Sequence, residues 1–252
     1  MPPLAVHTFV AKQAADCLQL SLLDEQRGNL YLGSTAPDIR VLTRWERERT
    51  HFFDLSNFDE QSGISGFFDS YPALAEASRL NAPTASFVAG YLTHLVTDEM
   101  WISRIYRPFF GERSTLGGNL KANIMDRALQ FSLDAERRND SELMLHVLEA
   151  VARSELELEI EFIDRDTLRE WQRVILTFVG QQPDWERFRE RARRHIGSST
   201  GVPDSDFDEL AASLPDLIDE TLRYLTPDRV SDCLQESLQA SVRAVKDYVA
   251  CG

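Results

Sequence analysis

The amino-acid sequence predicts an all-α protein, and three observations carry that prediction. Apolar residues recur at three- and four-residue spacing along most of the chain, whereas the alternation typical of strands bounded by turns is almost absent. The 252 residues are 43% hydrophobic, which is enough for a substantial core. Pro183 and Pro227 stand at or near the starts of predicted helices, where a missing N–H is tolerated. We therefore expect a multi-helix bundle.

The first helix is predicted over residues 4–23. Val10, Ala14 and Leu18 follow one another at four-residue spacing and form an apolar stripe. His7 precedes Val10 by three residues and falls on the same stripe. A histidine on the buried face of a helix is a candidate for a metal ligand or for a hydrogen-bonded core residue.

Residues 28–66 are predicted to form an irregular segment, rich in Gly, Asp, Ser and aromatic residues. Loops of that length in a compact chain are usually functional or disordered. The aromatic residues favour an ordered loop, because they supply apolar surface that the loop can bury. We therefore expect this segment to contribute to a functional site.

Helical patterns fill the rest of the chain, and one linker divides it. The stretch Gly197–Asp204 is rich in Gly and Ser, so we expect a metal-binding helical domain over residues 1–196 and a C-terminal helical pair over residues 205–252 packed on it. The later helices are predicted at about 70–80, 84–107, 119–136, 140–163, 165–179, 184–196, 206–224 and 227–249.

Charge and cysteine content exclude several classes of function. Lys and Arg number 27 against 41 Asp and Glu, and a net charge of −14 disfavours non-specific nucleic-acid binding and anionic membranes. Cys17, Cys233 and Cys251 form no C-x-x-C pair, so we expect reduced thiols in a cytoplasmic protein. We expect neither a secretory signal nor a membrane anchor.

The sharpest local motif is the pair His94 and Asp98. The two residues stand four apart, so their side chains project from one face of a helix. That helix is apolar nearly all round, and a buried carboxylate must be paired or must bind a cation. No Lys or Arg lies one turn away on the same helix. Either a metal ion or a His–Asp hydrogen bond in the core would satisfy the pair.

Three further residues from the first 100 positions favour the metal. His7 and His51 lie in apolar or aromatic surroundings, and Asp38 follows Pro37, which fixes the backbone before the carboxylate. Imidazole and carboxylate ligands from several separate elements suit zinc, iron or manganese without any thiolate.

These motifs together resemble the zinc-dependent phospholipase C family, which is all-helical and related to fungal single-strand nucleases. The resemblance covers roughly residues 4–110, and its order along the chain makes it more specific than any one motif. It consists of His7, Leu32-Gly-Ser-Thr-Ala-Pro-Asp38, Thr50-His51-Phe52 and Gly90-Tyr-Leu-x-His94-x-x-x-Asp98.

The resemblance implies a ligand set. Asp38, His51, His94 and Asp98 would surround one zinc, and Asp98 would bridge to a second zinc that also takes His7. Asp38 would in addition be the base for the attacking water.

The family's further zinc site is not matched in this chain. No His follows Asp98 until His146, and Ala122 and Asp126 stand where the family has a His and a Glu. The resemblance therefore implies one or two divalent ions, with zinc as the expected metal, rather than three.

A carboxylate-bridged pair of metals is suited to in-line attack at phosphorus. We therefore expect an intracellular hydrolase of phosphoester or phospholipid-like substrates. Arg44, Arg49, Arg104 and Arg107 could bind phosphate oxygens or could form surface ion pairs. The alternative is a non-catalytic binding protein with a structural or vestigial metal. An HD-type phosphohydrolase is disfavoured because the chain has no adjacent His-Asp pair.

Overall fold

The computed structural model describes residues 3–187, 189–190 and 214–250, and within those ranges it contains helices and no strand. The predicted all-α fold is therefore confirmed. The α-helices are α1 (Leu4–Leu18), α2 (Ser21–Glu25), α3 (Arg27–Thr35), α4 (Arg40–Thr43), α5 (Glu48–His51), α6 (Gly63–Ser70), α7 (Ala82–Trp101), α8 (Leu120–Arg138), α9 (Ser141–Ala152), α10 (Arg165–Val179), α11 (Leu214–Leu225) and α12 (Pro227–Ala250). Three 3₁₀ turns (Ala36–Ile39, Pro72–Leu74 and Ala77–Arg79) and a π-helix (Ile102–Phe110) accompany them.

Helix α7 is the central element, and α1, α3 and α12 pack around it. Its start follows from the sequence, because the Asn81 side chain accepts a hydrogen bond from the backbone N–H of Thr84 and Pro83 lies in the first turn. Apolar side chains cover most of its circumference, so the helix is buried along most of its length.

Two glycines let α3 and α7 approach until their backbones touch. A Cβ atom at Gly33 would lie 1.9 Å from the carbonyl oxygen of Phe87, and one at Gly90 would lie 2.0 Å from that of Leu30. Those distances are far inside van der Waals contact, so only glycine fits at either position.

The π-helix continues α7 and holds the segment that follows α5. The Arg107 guanidinium donates to the backbone carbonyls of Asp54, Leu55 and Asn57 at 3.3, 3.2 and 2.6 Å. This segment is therefore tied to the same continuous helix that contains His94.

The core has two parts. The larger cluster lies around α3 and α7 and includes buried residues from α1, α9, α10 and α12. A second cluster joins Trp101 and the π-helix to α8, α11 and Val230 and Cys233 of α12. In the described residues, α12 packs on α7 and α1 and α11 packs on α8.

The predicted boundaries were correct for some helices and wrong for others. The helices expected at 119–136, 165–179 and 227–249 are confirmed with small shifts. The first predicted helix breaks at Gln19, whose φ of 51° is left-handed. The helix expected at 70–80 is wrong, because the α-helix there is Gly63–Ser70 and Pro72 follows it.

The irregular loop expected at 28–66 is also wrong over its first half. Residues 27–51 form α3, α4, α5 and a 3₁₀ turn, because packing against α7 overrides the weak helix propensity of Gly, Ser and Thr. The predicted order of this segment is correct, and its aromatic residues are mostly at least half-buried.

The helix expected at 140–163 ends at Ala152, and the residues from 153 to 163 form neither helix nor strand. There Leu156, Leu158 and Ile160 point inward while the intervening glutamates are exposed. This is the period of two that marks an extended chain, and it was missed in the sequence. Side chains pair the segment's backbone, since the Thr84 hydroxyl accepts from Glu159 N–H.

The linker predicted at Gly197–Asp204 lies outside the described residues, as do parts of the helices expected at 184–196 and 206–224. The division into two domains therefore stays a prediction. Along the described ranges, no helix is both long enough and apolar enough to span a bilayer.

Candidate metal centre

The structure brings all five predicted site residues together. His7 comes from α1, Asp38 from the 3₁₀ turn after α3, His51 from the end of α5, and His94 and Asp98 from α7. Two groups of donor atoms each lie within 4.8 Å of one another: one from His7, His94 and Asp98, the other from Asp38, His51 and His94. Their assignment as metal ligands is a prediction.

Hydrogen bonds fix which ring nitrogen of each central histidine faces the centre. The Nδ1 of His94 lies 2.8 Å from the carbonyl oxygen of Ser34, which can only accept, so Nδ1 carries the proton. The Thr50 hydroxyl donates to the carbonyl of Arg47 and accepts from Nδ1 of His51 at 2.9 Å. The Nε2 lone pairs of both rings therefore point into the centre.

Asp38, His51, His94 and Asp98 could supply the four donors of a tetrahedral zinc site, and the distances from His51 are close to those that this geometry requires. With Zn–N and Zn–O bonds of about 2.0–2.1 Å, neighbouring donors in a tetrahedron are about 3.3 Å apart. The Nε2 of His51 lies 3.3 Å from Nε2 of His94, 3.2 Å from Oδ2 of Asp98 and 3.7 Å from Oδ1 of Asp38. The Nε2 of His94 lies 3.8 Å from the same Oδ2. Two lone pairs this close repel each other unless a cation lies between them, so the donor set fits a divalent ion.

The protonation of these groups also suits a cation. Burial alone would raise the pKa of Asp98, but the neighbouring His51, His7 and His94 rings and the Arg47 guanidinium hold it well below its usual range. Burial lowers the pKa of His51, and burial together with the neighbouring His7 lowers that of His94 further. At neutral pH the carboxylate is charged and both rings are neutral, as metal ligands must be.

His7 stands apart from the tetrahedron. Its ring stacks on His94 with 3.7 Å between centroids, and its Nε2 lies 3.5 Å from the other carboxylate oxygen of Asp98. Within the described part of the chain neither ring nitrogen has a hydrogen-bond partner, although the residue is buried. Helix α1 is held in place here by Asp134 of α8, which accepts a hydrogen bond from the backbone N–H of Ala5.

Asp38 is the one member of the cluster that reaches the surface. Its side chain is 24% exposed, whereas those of the other four are at most 3% exposed. Any molecule that meets a metal here must therefore approach past Asp38.

Sequence reasoning missed the cationic partner of Asp98. Arg47 donates to Oδ2 of Asp98 from 3.0 Å and is itself buried. Because α7 contains no basic residue near Asp98, a partner from another segment had to be sought. The four-residue spacing between Arg47 and His51 could have indicated it. Tyr91 was also missed, and its hydroxyl donates to the carbonyl of Thr50 and so fixes the residue before His51.

The arginines proposed for phosphate binding have other contacts. Arg104 pairs with Glu236 on the surface, Arg107 donates to backbone carbonyls as described above, and Arg49 stacks over the ring of Trp45. Arg44 ends α4 with a left-handed backbone. These contacts favour surface or structural roles over phosphate binding for Arg49, Arg104 and Arg107.

The residues at the family's further zinc site do not form a ligand set here. Asp126 accepts hydrogen bonds from Nε1 of Trp101 at 3.0 Å and from Nε2 of Gln130 at 2.7 Å. Ala122 has no donor atom in its side chain. Both carboxylate oxygens of Asp126 are therefore hydrogen-bonded, one to Gln130 of α8 and the other to Trp101 at the end of α7.

Because proton and metal compete for the same Nε2 atoms, the lowered histidine pKa values predict a pH dependence. The pKa of His51 and that of His94 both lie below the ordinary 6.5. We expect zinc affinity to be nearly constant from pH 8 to pH 6.5 and to fall only at lower pH. Competition titrations against a chromophoric chelator, corrected for its own protonation, would measure this. A tenfold loss between pH 8 and pH 7 would contradict it.

Fold and site together define the class: a helical protein whose buried His and Asp side chains could hold a divalent metal ion. The chain belongs to the zinc dependent phospholipase C family, whose model matches residues 6–198. The match extends well beyond the 4–110 range where the resemblance was recognised and includes all five site residues. No curated protein and no solved structure matches the chain.

Proposed function

We propose that the protein is a metal-dependent hydrolase of phosphoester bonds, with a phospholipid-like substrate. The observation that carries the proposal is the cluster of donors from Asp38, His51, His94 and Asp98, in which Asp38 is partly exposed and leaves one side of the site open to solvent. Family membership supports the choice of zinc and of phosphoester chemistry. Fold alone would not, since one fold can serve many reactions.

In this proposal the ion would supply Lewis-acid activation of water and of a phosphoryl oxygen. The residues of the chain have separate roles. His51 and His94 present Nε2 because Thr50 and Ser34 fix their tautomers. Asp38, at the exposed edge, would accept the proton of the attacking water, because a general base must reach both the water and the substrate side.

An intracellular location is part of the proposal. The thiols of Cys17 and Cys233 are free, as is usual in a reducing compartment. The net charge of −14 supports a substrate presented as a single molecule or on a neutral surface rather than a polyanion.

The test is turnover of an aryl phosphodiester and of short-chain phosphatidylcholine by the zinc-loaded protein. We expect Asp38→Asn to lower turnover at least about a hundredfold, since a positioned base contributes on the order of 10²–10⁴-fold, while bound zinc falls much less. Asp69→Asn, which replaces an exposed aspartate on α6, should leave both turnover and zinc unchanged.

A second candidate function follows from the same geometry. Four protein donors complete a tetrahedral shell, and closed shells are typical of structural zinc. Full zinc occupancy with no turnover above that of free zinc on either substrate would favour a non-catalytic protein whose metal holds the fold. Equal losses of zinc and turnover in Asp38→Asn would leave Asp38 as a ligand without the role of base.

A further inference from the structure

Arg47 places a buried positive charge beside Asp98. Arg47 is only 6% exposed, and one of its guanidinium nitrogens donates to Oδ2 of Asp98 at 3.0 Å. Its Nε and Nη1 atoms are buried and have no hydrogen-bond partner among the residues that the structure describes. Removing a guanidinium from water costs desolvation free energy, so its burial against a single carboxylate must be offset by an electrostatic interaction.

The histidine lone pairs limit how many ions the centre can hold. His94 belongs to both groups of candidate ligands, but its Nδ1 is committed to the carbonyl of Ser34. The single lone pair on Nε2 can bind one ion. Once His94 joins the tetrahedron with Asp38 and His51, the other group is reduced to His7 and Oδ1 of Asp98.

Two protein ligands are fewer than zinc sites ordinarily have, since even catalytic sites use three. The part of the chain that the structure describes supplies no further His, Cys or carboxylate to that group. The geometry therefore contains one complete site and a fragment of a second.

The charges of the side chains also indicate a single metal ion. Asp38 and Asp98 are the only carboxylates in the two candidate groups. One divalent ion neutralises both, and Arg47 then adds one positive charge. A second divalent ion would leave three uncompensated positive charges in a buried region, where charges interact strongly.

We propose that the centre holds a single tightly bound ion, in the tetrahedron of Asp38, His51, His94 and Asp98, and that Arg47 supplies Asp98 with the positive charge that a second ion would bring. This inference rests on the metal site of the proposed function but does not require hydrolysis. It departs from the two-ion arrangement that the resemblance allowed. His7 then acts as a positioning residue that supports Asp98 and stacks on His94.

Zinc stoichiometry is the first test. Protein stripped with a chelator is reloaded with zinc, and the tightly bound zinc per chain is measured by elemental analysis and by calorimetric titration. We expect one ion in the unmodified protein, one in His7→Ala and none in His94→Ala. Two tight ions in the unmodified protein, with one lost in His7→Ala, would overturn the inference.

The role of Arg47 has its own test, the zinc affinity of Arg47→Met. A guanidinium that compensates Asp98 without metal must repel an incoming cation, so its removal should tighten zinc binding by about tenfold or more. Arg49→Met removes a charge two positions away that stacks on Trp45, and it should change affinity by less than about threefold. Unchanged or weaker binding in Arg47→Met would show that Arg47 merely orients Asp98.

The outcomes separate this inference from the proposed function. If Arg47→Met does not fold, Arg47→Lys retains the charge and should bind zinc with an affinity near that of the unmodified protein, whereas a tenfold change in it would contradict the electrostatic role. Two ions with turnover would overturn the inference and leave the hydrolase standing. One ion without turnover would overturn the hydrolase proposal and leave the inference standing. A protein that binds no zinc would overturn both.

Discussion

Replacing Asp98 with Asn is expected to abolish tight zinc binding, lowering affinity by at least about a hundredfold. The amide removes the negative charge that faces the ion, and only one of its two terminal atoms can still accept from Arg47 or bind a cation. Arg47 is then left buried without its counter-charge, which opposes a cation still further. The measurement is zinc content after dialysis at defined free zinc, together with a competition titration.

Asp126→Asn is the matched control for this experiment. Asp126 is as buried as Asp98, but neutral donors from Trp101 and Gln130 hold its carboxylate. We expect that variant to bind zinc like the unmodified protein. Full zinc occupancy in Asp98→Asn would show that Asp98 only contacts the histidines and is not a metal ligand.

Gly90→Ala is expected to destabilise the protein by about 3 kcal/mol or more, although alanine is the better helix former by about 1 kcal/mol. The added methyl group would lie 2.0 Å from the carbonyl oxygen of Leu30, and a backbone atom on α3 cannot move aside as a side chain would. For a chain of this size the thermal midpoint should fall by roughly 6–12 °C, which calorimetry of the metal-free protein would measure.

Gly180→Ala serves as the control, because a methyl group there would meet its nearest neighbour at 3.4 Å and the backbone is right-handed. Its midpoint should shift by no more than about 2 °C. A Gly90→Ala midpoint within that range would mean that α3 and α7 can separate without loss, and that their close approach does not fix the fold.

Much of the fold could be predicted because long amphipathic helices leave a clear period in the sequence. Helices α8, α10 and α12 were predicted within a few residues. Short helices such as α4 and α5 were not, because four residues cannot display a period and tertiary packing decides their conformation. The conformation of the segment after α9 could not be predicted for a different reason. Its alternating Leu and Glu residues also suit a helix, and it pairs with side chains rather than with a strand.

The ligand candidates could be predicted because a histidine or aspartate in apolar surroundings needs a partner whatever the fold. Spacing along one helix related His94 to Asp98, and the ordered motifs added His7, Asp38 and His51. Arg47 could not be found in this way. It stands in a run of alternating charges that is typical of a solvated surface, and its burial beside Asp98 follows from the tertiary structure alone.

The sequence separation of the four tetrahedral donors bears on how the protein would unfold. An ion bound there would join Asp38 to His51, closing a loop of 13 residues (51 − 38), and His51 to His94, closing one of 43 (94 − 51). Such a junction acts as a reversible cross-link between segments that are far apart in the chain. Because α7 could not separate from α5 and from the 3₁₀ turn after α3 while the ion joins them, the ion would have to leave before the chain unfolds. Rebinding of free zinc would compete with unfolding, so the lifetime of the folded chain would rise with the surrounding concentration of free zinc.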